Sequence, residues 1–349
     1  MTTALQPGPV APAGPVLMEA IVQRRYGTVP EDVFRLAQIP RPAIKAGEVL
    51  VRVRAAGVDR GTWHLMAGQP YLMRILGFGL RAPKTPVPGW AVAGTVEAVG
   101  QDVTGLEPGD EVFGTAQGSF AQYATARASR LVPKPASLTF EQAAAMPGSA
   151  PTALQALRDH ANLRPGQHVL VIGASGGVGT FAVQLAKAFG AEVTGVSSTA
   201  KTDLVRAVGA DHVLDYTRED PVAGRHRYDV IVDIGGNRRL AHLRRALAPT
   251  GTLVITGGEG GRWLGGIGRN LRAQVLSPFV RQKLTAFVAR QRRADLMTLR
   301  DLAGSGAVTP AIGRTYPLSQ AAAAVRHLAE GRARGKIVIS LCGPDQPGN

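Results

Sequence analysis

The sequence predicts an α/β protein built from two units, a β-rich unit followed by a doubly wound parallel sheet. Short strand patterns separated by turns fill the chain up to about residue 140, and strands alternate with helices after it. In addition, 349 residues are too many for one ordinary hydrophobic core. We therefore expect two domains.

The β-rich unit is indicated by several short strand patterns. The clearest, residues 49–55, alternates apolar and charged side chains, as a half-buried strand does. Turn residues such as those of 108–110 (PGD) separate the patterns. The predicted strands cover residues 19–23, 49–55, 91–99, 111–114 and 120–124.

Beyond residue 140 the pattern changes to alternating helices and strands. Thr139 is a candidate N-cap for a helix over 141–146, and a second helix is predicted over 152–160. The last helix, 318–330, precedes a strand over 336–341 that we expect to return to the β-rich unit. Strands alternating with helices imply a parallel sheet covered on both faces. Its strands are predicted at 169–173, 193–196, 212–215, 230–234 and 252–256.

The most informative stretch is a buried strand followed by the glycine-rich turn 173–179 (GASGGVG) and a helical pattern over 181–189. Gly176 and Gly177 let the backbone approach a pyrophosphate, and Gly179 lets the helix pack closely on the strand. The N-terminus of that helix offers free N–H groups to phosphates. This order predicts a dinucleotide-binding fold; a glycine-rich turn in another α/β fold is the alternative.

The end of the next strand indicates which nucleotide binds. Sites for NAD usually place Asp or Glu there, about 20 residues past the glycines. This chain has Ser197 instead, and Lys201 follows it. A hydroxyl and an ammonium attract the 2′-phosphate that a carboxylate would repel. We therefore predict NADP rather than NAD; the alternative is that Lys201 is a solvated lysine at the start of a helix.

Composition excludes several classes of protein. The single cysteine, Cys342, rules out a disulfide framework and a cysteine-rich zinc cluster. No run of 18 apolar residues is present, so no membrane span is expected. Residues 1–16 lack the basic start and apolar core of a signal peptide and are rich in proline and glycine, so we expect a disordered tail. Cytoplasmic localisation is the default expectation.

The net charge of +15 is unevenly distributed, and residues 262–293 contain eight basic residues and no acidic one. This stretch could line the mouth of an anionic cofactor site, touch nucleic acid or an anionic membrane, or form a solvated face. Nucleic acid is disfavoured because the stretch has few aromatic residues to stack on bases. Its role stays open.

Several short motifs, taken together, resemble one enzyme family. They are 55–59 (AAGVD), 87–89 (VPG), 94–100 (GTVEAVG), 106–112 (LEPGDEV), 118–123 (GSFAQY), 209–216 (GADHVLDY) and 335–338 (GKIV). Their order resembles the medium-chain dehydrogenase/reductase superfamily over residues 17–342, and within it the zinc-free quinone oxidoreductase (zeta-crystallin-like) branch. The resemblance implies a GroES-like catalytic domain over 17–140 and 278–349, a Rossmann NADP-binding domain over 141–277, and an active site between them.

The resemblance also bears on the metal. Alcohol dehydrogenases of the superfamily bind a catalytic zinc through a cysteine and a Gly-His-Glu motif, and here those positions read Asp59 and Gly89-Trp90-Ala91. Zinc needs several thiolate or imidazole ligands. We therefore expect no metal, and a reaction that needs no Lewis acid: NADPH-dependent reduction of a quinone or an α,β-unsaturated carbonyl compound.

The resemblance identifies the catalytic residues less clearly than it identifies the fold. At the positions where the branch usually has Asn, Asp and Tyr, this chain has Asp59, Thr62 and His64. His64 is a candidate proton donor, with a packed structural histidine as the alternative. Tyr71 is a second candidate donor, and Asp59 completes the predicted catalytic set.

The cofactor residues implied by the resemblance extend from the nicotinamide to the adenosine. Lys336 either reaches the phosphates or docks the last strand. A homodimer is expected, joined at the edge of the Rossmann sheet by 252–256 or the strand after it. The remaining alternatives are an enoyl-thioester reductase and a catalytically weak NADPH-binding sensor or nucleic-acid-binding protein. The predicted cofactor-binding residues are Thr152, Gly176, Gly177, Val178, Ser197, Lys201, Tyr216, Gly257, Gly258 and Lys336.

Overall fold

The computed structural model of the protein describes residues 16–224, 226–236, 238–257 and 266–341. Most of the predicted disordered tail, Gly258, Cys342 and residues 262–265 of the basic stretch lie outside these ranges.

The described residues form three sheets with helices packed around them. The strands are β1 (Leu17–Gln23), β2 (Phe34–Pro40), β3 (Glu48–Val58), β4 (Ala91–Val99), β5 (Glu111–Thr115), β6 (Tyr123–Arg127), β7 (Leu131–Pro133), β8 (His168–Ile172), β9 (Glu192–Ser197), β10 (His212–Asp215), β11 (Tyr228–Asp233), β12 (Leu247–Ile255), β13 (Lys283–Ala286), β14 (Ile312–Pro317) and β15 (Lys336–Ser340). The α-helices are α1 (Pro30–Val33), α2 (Arg60–Ala67), α3 (Phe140–Gln155), α4 (Gly177–Ala188), α5 (Thr202–Ala207), α6 (Leu240–Ala246), α7 (Ile267–Leu276), α8 (Arg293–Gly304) and α9 (Ala321–Ala329).

One sheet is the predicted parallel sheet. Its order is β10-β9-β8-β11-β12-β13, and every neighbouring pair is parallel. This is the strand order of the doubly wound dinucleotide-binding fold. Because the connections lead to opposite sides of β8, a crevice opens at the carboxyl ends of β8 and β11, where such sheets bind ligands. The predicted α/β class, with a Rossmann sheet beside a GroES-like unit, is confirmed.

The parallel sheet includes residues that follow the domain boundary expected at residue 278. Lys283–Ala286 pairs with β12 in register from Thr252 to Ile255 and forms the edge of the sheet. The family resemblance implied that these residues belong to the catalytic domain. The correction has a simple reason: a four-residue edge strand in a basic stretch has too few apolar residues to show a strand pattern.

The second large sheet belongs to the β-rich unit, in the order β14-β15-β3-β4-β5-β7, with β6 also pairing with β3. The last strand does return to this unit, because β15 pairs antiparallel with β3 from Ile337 opposite Val58 to Ser340 opposite Ala55. This return brings the chain just before Lys336 against the glycine turn, where Gly335 N donates to Ser175 O at 2.8 Å. The β-rich unit therefore helps to enclose the crevice.

Helix α3 connects the two units and differs from the prediction. Thr139 caps it as expected, and Gln142 completes a reciprocal capping box. However, the helix runs on through Pro147 and Pro151 to Gln155, whereas two separate helices were predicted. Each proline removes one internal hydrogen bond, but eleven of the sixteen helix residues are buried. Packing of α3 against both units therefore outweighs the tendency of the two prolines to break the helix.

Candidate active site

A cavity of about 580 Å³ lies at the carboxyl ends of β8, β9 and β11. Its walls come from the glycine turn, from the loops after β9 and β11, and from the C-terminal segment 331–335 that crosses the turn. Five predicted cofactor residues line it: Gly176, Gly177, Ser197, Lys201 and Tyr216. The structure thus brings the two halves of the predicted nucleotide site to one cavity.

The geometry of the glycine turn fits a phosphate group. Helix α4 begins after Gly176, which has no side chain to cap the first N–H groups. A Cβ on Gly179 would lie 2.1 Å from Gly173 O, so only glycine permits this contact between helix and strand. A Cβ on Gly177 would lie 3.0 Å from both Ser149 Oγ and Lys336 Cδ. The turn therefore presents bare backbone and a helix N-terminus to the cavity.

The end of the cavity at β9 carries the residues predicted to select the nucleotide. Ser197 is 2% exposed, and Lys201 Nζ donates to the carbonyl oxygens of Gly331 and Ala333 at 2.7 and 2.8 Å. Burial lowers the pKa of Lys201, and the nearby charge of Arg334 lowers it further. Lys201 is therefore more than a solvated lysine at a helix start, because it also joins the Rossmann sheet to the C-terminal segment.

The cavity is positively charged. Arg60 and Arg238 line it together with Lys201, and no Asp or Glu belongs to the described lining. Arg238 forms an ion pair with Asp220, and the guanidinium of Arg60 lies 4.7 Å from the Trp63 ring centroid. A cavity with this charge favours an anionic ligand that carries several phosphate oxygens.

Three predicted cofactor residues do not line the cavity. Thr152 Oγ1 donates to Gly148 O at 3.1 Å within α3. A Cβ on Gly257 would meet Ile234 O at 2.2 Å, so its backbone passes close to the loop after β11. Val178 is partly buried and packs against the core.

Lys336 is 2% exposed and lies beneath the glycine turn. Its ammonium donates to Val58 O and Ser149 Oγ, both at 3.2 Å. Burial lowers the pKa of Lys336, and the negative charge of Asp59 opposes that effect. Lys336 thus lies between the last strand, α3 and the turn, where it links β15 to β3 and α3; a contact with the phosphates stays a prediction.

Asp59 lies between β3 and α2, as the N-cap of the helix. Its Oδ1 accepts a hydrogen bond from Thr62 N at 3.1 Å and so caps the helix. Its Oδ2 is buried and has no hydrogen-bond partner among the described residues. A Cβ on Gly148 would lie 2.4 Å from Oδ2 and 3.1 Å from the Trp90 ring, so the carboxylate fills the space between α3 and Trp90.

A second cavity of about 320 Å³ lies beside α2 in the β-rich unit. Thr62, His64 and Trp90 line it, and most of the remaining lining is apolar. The Thr62 hydroxyl is buried and without a hydrogen-bond partner among the described residues. His64 Nδ1 lies 2.9 Å from Gln69 O, so Nδ1 carries a proton.

Tyr71 does not line this cavity. Its ring packs against Arg74, whose guanidinium lies 4.7 Å from the ring centroid. Of the predicted catalytic set, the structure therefore places His64 at the second cavity, Asp59 between α3 and Trp90 without lining either cavity, and Tyr71 against Arg74.

Helix α2 contributes to both cavities. Arg60, at its start, lines the cavity at the glycine turn, whereas Thr62 and His64 line the apolar one. The two linings therefore meet at one helix. Within the described ranges, no group of three or more His, Cys, Asp or Glu residues could hold a metal ion. In the same ranges, no helix is long and apolar enough to cross a bilayer.

Sequence reasoning missed Arg60, Arg238 and the segment 331–335 as parts of the nucleotide cavity. Arg60 directly follows a motif residue, so its position was a usable signal. Arg238 and residues 331–334 carry no local signal, because only the return of β15 and the loop after β11 bring them to the cavity; Gly335 stands in the motif 335–338.

Comparisons with known proteins agree with this architecture. Residues 45–136 match the alcohol dehydrogenase GroES-like domain, and residues 208–339 match the zinc-binding dehydrogenase family. The chain is 32% identical to 2-methylene-furan-3-one reductase of Solanum lycopersicum, over 93% of this chain and 79% of that protein. It is 31% identical to quinone oxidoreductase of Sus scrofa, over 94% of this chain and 99% of that protein.

A solved structure gives the same result. The quinone oxidoreductase from Coxiella burnetii superposes with a TM-score of 0.83 at 27% identity, covering 94% of this chain and 100% of that one. The chain therefore belongs to the medium-chain dehydrogenase/reductase superfamily, in its quinone-oxidoreductase-like branch, and is an oxidoreductase with a nicotinamide cofactor.

Proposed function

We propose that the protein is a zinc-independent, NADPH-dependent oxidoreductase that transfers hydride to a quinone or an α,β-unsaturated carbonyl compound. The observation that carries this proposal is the pair of cavities to which α2 contributes. One is basic and built on a glycine turn; the other is largely apolar and carries a buried hydroxyl. An apolar cavity with few polar groups suits a flat or aliphatic carbonyl compound.

The preference for NADPH rests on the charge at the β9 end of the nucleotide cavity. Ser197 replaces the carboxylate that would repel a 2′-phosphate, and Lys201 stands beside it. Tyr216 and Ser198 complete this part of the lining. We expect the glycine turn to hold the pyrophosphate, and Thr152 and Gly257 to lie beside the nicotinamide.

When bound, a reduced nicotinamide supplies the hydride. During reduction of a conjugated carbonyl compound, negative charge develops on the carbonyl oxygen, and a donor placed there lowers the barrier. Thr62 is one such donor, because its hydroxyl is buried in the lining without another partner among the described residues. His64 supplies a proton when its ring is doubly protonated. Asp59, as a carboxylate, accepts hydrogen bonds and does not serve as this donor.

The similar tomato protein is named for reducing a 2-methylene-furan-3-one. That name describes a carbon–carbon double bond next to a ring ketone, which is the substrate class proposed here. The pig relative and the Coxiella structure are named as quinone oxidoreductases. Both names support hydride transfer to a conjugated carbonyl system.

We also propose a homodimer joined at the edge of the parallel sheet. Strand β13 is this edge, and the neighbouring helix α7 exposes an apolar stripe. Ile267, Leu271 and Val275, spaced by one helical turn, are 43%, 57% and 59% exposed, and Phe279 beyond the helix is 81% exposed. A stripe of this kind is typical of a subunit interface.

A substrate panel tests the proposed reaction. The protein is mixed with NADPH or NADH and with quinones, alkenals and enoyl thioesters, while absorbance of the reduced nucleotide is followed and metal content is measured. We expect oxidation of NADPH by quinones or alkenals at a lower KM than that of NADH, without stoichiometric zinc. Turnover of enoyl thioesters alone would identify an enoyl-thioester reductase. Binding of NADPH without turnover would identify a sensor, and equal KM values would contradict the preference for NADPH.

A further inference from the structure

A loop of exposed apolar side chains lies at the mouth of the apolar cavity. We call residues 74–80 (RILGFGL) the access loop. Ile75, Leu76 and Leu80 are each 69% exposed, and Phe78 is 47% exposed while also lining the cavity. Large apolar side chains gathered on one exposed loop mark an interaction surface rather than an ordinary protein surface.

The access loop is anchored from beneath. The Tyr26 hydroxyl lies 3.1 and 2.8 Å from the carbonyl oxygens of Phe78 and Gly79. Arg74 Nε donates to Gly68 O at 2.8 Å, and the Arg74 guanidinium lies over the Tyr26 ring at 4.3 Å. These contacts use the inner side of the loop, so its apolar side chains point outward from a built support.

Basic residues surround the access loop. Arg81 and Lys84, both exposed, follow it directly. Gln23 N donates to Pro86 O at 2.7 Å, which places the exposed Arg24 beside the same segment. Moreover, residues 60–96 contain no Asp or Glu. The apolar side chains therefore emerge within a positively charged surface.

We propose that the access loop docks on the surface of an anionic phospholipid bilayer. Its apolar side chains enter the headgroup region, while Arg24, Arg81 and Lys84 lie near the lipid phosphates. Apolar residues framed by Lys and Arg are the composition of interfacial membrane-binding segments. A loop of this length offers less than the roughly 800 Å² that each partner contributes to a stable protein complex, which favours a bilayer as occupant.

Docking in this orientation turns the mouth of the apolar cavity toward the lipid. A lipid-soluble substrate then reaches the cavity without crossing water. Only this consequence rests on the proposed function; membrane binding itself is measured without turnover, so the failure of one is distinguishable from the failure of the other.

The test is co-sedimentation of the full-length protein with vesicles. One set contains phosphatidylcholine alone, and the other contains phosphatidylcholine and phosphatidylglycerol in equal parts. The loop variant combines Leu76→Ser and Leu80→Ser, and a charge variant combines Arg24→Gln and Arg81→Gln. The matched control combines Leu36→Ser and Val288→Ser, which are 47% and 91% exposed elsewhere on the surface.

We expect the wild-type protein and the control to sediment with the anionic vesicles and to be released by high salt. Partitioning of the loop variant should fall by about tenfold or more, and the charge variant should also bind more weakly. Turnover of a water-soluble quinone should be unchanged in the loop variant, which shows that it is folded. Absence of wild-type binding to anionic vesicles, or equal binding by the loop variant and the control, would overturn the proposal. The proposal would also be overturned if sedimentation velocity showed the loop variant to form a smaller oligomer than the wild-type protein. That result would mean that a second copy of the chain covers the loop.

Discussion

Lys201 and Ala333 are joined across the nucleotide cavity by a 2.8 Å hydrogen bond from the ammonium to the carbonyl oxygen. One residue follows β9 of the Rossmann sheet, and the other precedes β15 of the β-rich unit. The bond therefore connects the two units at the place where the 2′-phosphate is proposed to bind. Substitution of Lys201 should therefore weaken nucleotide binding more than it lowers the stability of the fold.

For Lys201→Ala we expect the KM for NADPH to rise about tenfold or more, because a hydrogen bond to a charged group contributes about 1.5–3 kcal/mol. The KM for NADH should rise much less. Steady-state kinetics with both nucleotides checks this, with Lys187→Ala as control, since Lys187 forms an ion pair with Asp211 elsewhere on the surface of the Rossmann unit. Equal rises for both nucleotides would mean that Lys201 acts only as a link between the units.

The buried ammonium of Lys336 should matter for stability through Asp59. In Lys336→Met the ammonium is lost, and the Asp59 carboxylate keeps its buried Oδ2 without a compensating charge. We expect unfolding free energy to fall by about 1–3 kcal/mol. Adding Asp59→Asn to Lys336→Met should recover part of this lost stability. Urea unfolding of the wild-type protein, the two single variants and the double variant measures the effect in a double-mutant cycle. Additive effects would show that the two side chains do not interact.

Substitution can distinguish the catalytic contributions of the two candidate donors in the apolar cavity, Thr62 and His64. Thr62→Val removes the hydroxyl at nearly constant volume, and we expect kcat with a quinone or alkenal to fall about 100-fold, as for loss of one oxyanion donor. His64→Ala should instead lower kcat mainly at acidic pH, where the doubly protonated ring supplies the proton in the wild-type protein, and weaken the pH dependence of kcat. Pre-steady-state hydride transfer across a pH series distinguishes the two. Unchanged turnover in His64→Ala would leave this histidine a structural role only.

His160 should make the fold sensitive to acid. Burial lowers its pKa, with the charge of Lys283 adding to the effect, and its ring stacks on Phe287 at 4.0 Å. The unfolded chain therefore binds a proton more readily than the native one below about pH 6.5. Unfolding free energy should fall as pH drops from about 6.5 through the folded pKa, by at most about 1.4 kcal/mol per pH unit for this one group.

His160→Gln removes this contribution. Urea unfolding between neutral pH and about pH 5 should show a shallower loss of stability in the variant than in the wild-type protein. His327, whose pKa is also lowered by burial, remains in both proteins and contributes equally. Parallel pH profiles for the two proteins would contradict the prediction.

The proposed dimer depends on the apolar stripe of α7. Leu271→Arg places a charge in the middle of the stripe and should convert the dimer to a monomer, because an unpaired charge in an apolar interface costs several kcal/mol. Sedimentation velocity measures the outcome. Val288→Arg is the control, since Val288 is 91% exposed and lies outside the stripe. A wild-type monomer at micromolar concentration would remove the proposal.

Local patterns predicted much of the Rossmann unit. Strand β10 begins and ends where predicted, at His212 and Asp215. Helix α4 begins in the glycine turn, and Thr139 caps α3. These features depend on residues close together in the chain: an apolar run, a turn that only glycine allows, and a capping box. The strand predicted at 120–124 instead spans Tyr123–Arg127, since pairing with β3 sets its position.

The site itself was only partly predictable. Gly176, Ser197 and Lys201 stand at motif positions and do meet in one cavity. In contrast, Tyr71 packs against Arg74 and does not itself line the apolar cavity, and Arg238 enters the nucleotide cavity from a loop without any motif. Side-chain direction at such positions depends on neighbours from other elements, which a single sequence does not reveal.

By itself, the sequence determined the fold class, the glycine turn and the likeness to an oxidoreductase family, because each of these depends on short patterns of residue type. Tertiary structure alone decided that Lys201 holds the C-terminal segment, that Lys336 lies buried beside Asp59, and that an apolar loop rises at the cavity mouth. The physical reason is distance along the chain: these contacts join residues more than a hundred positions apart or depend on which side chains the packed core leaves exposed.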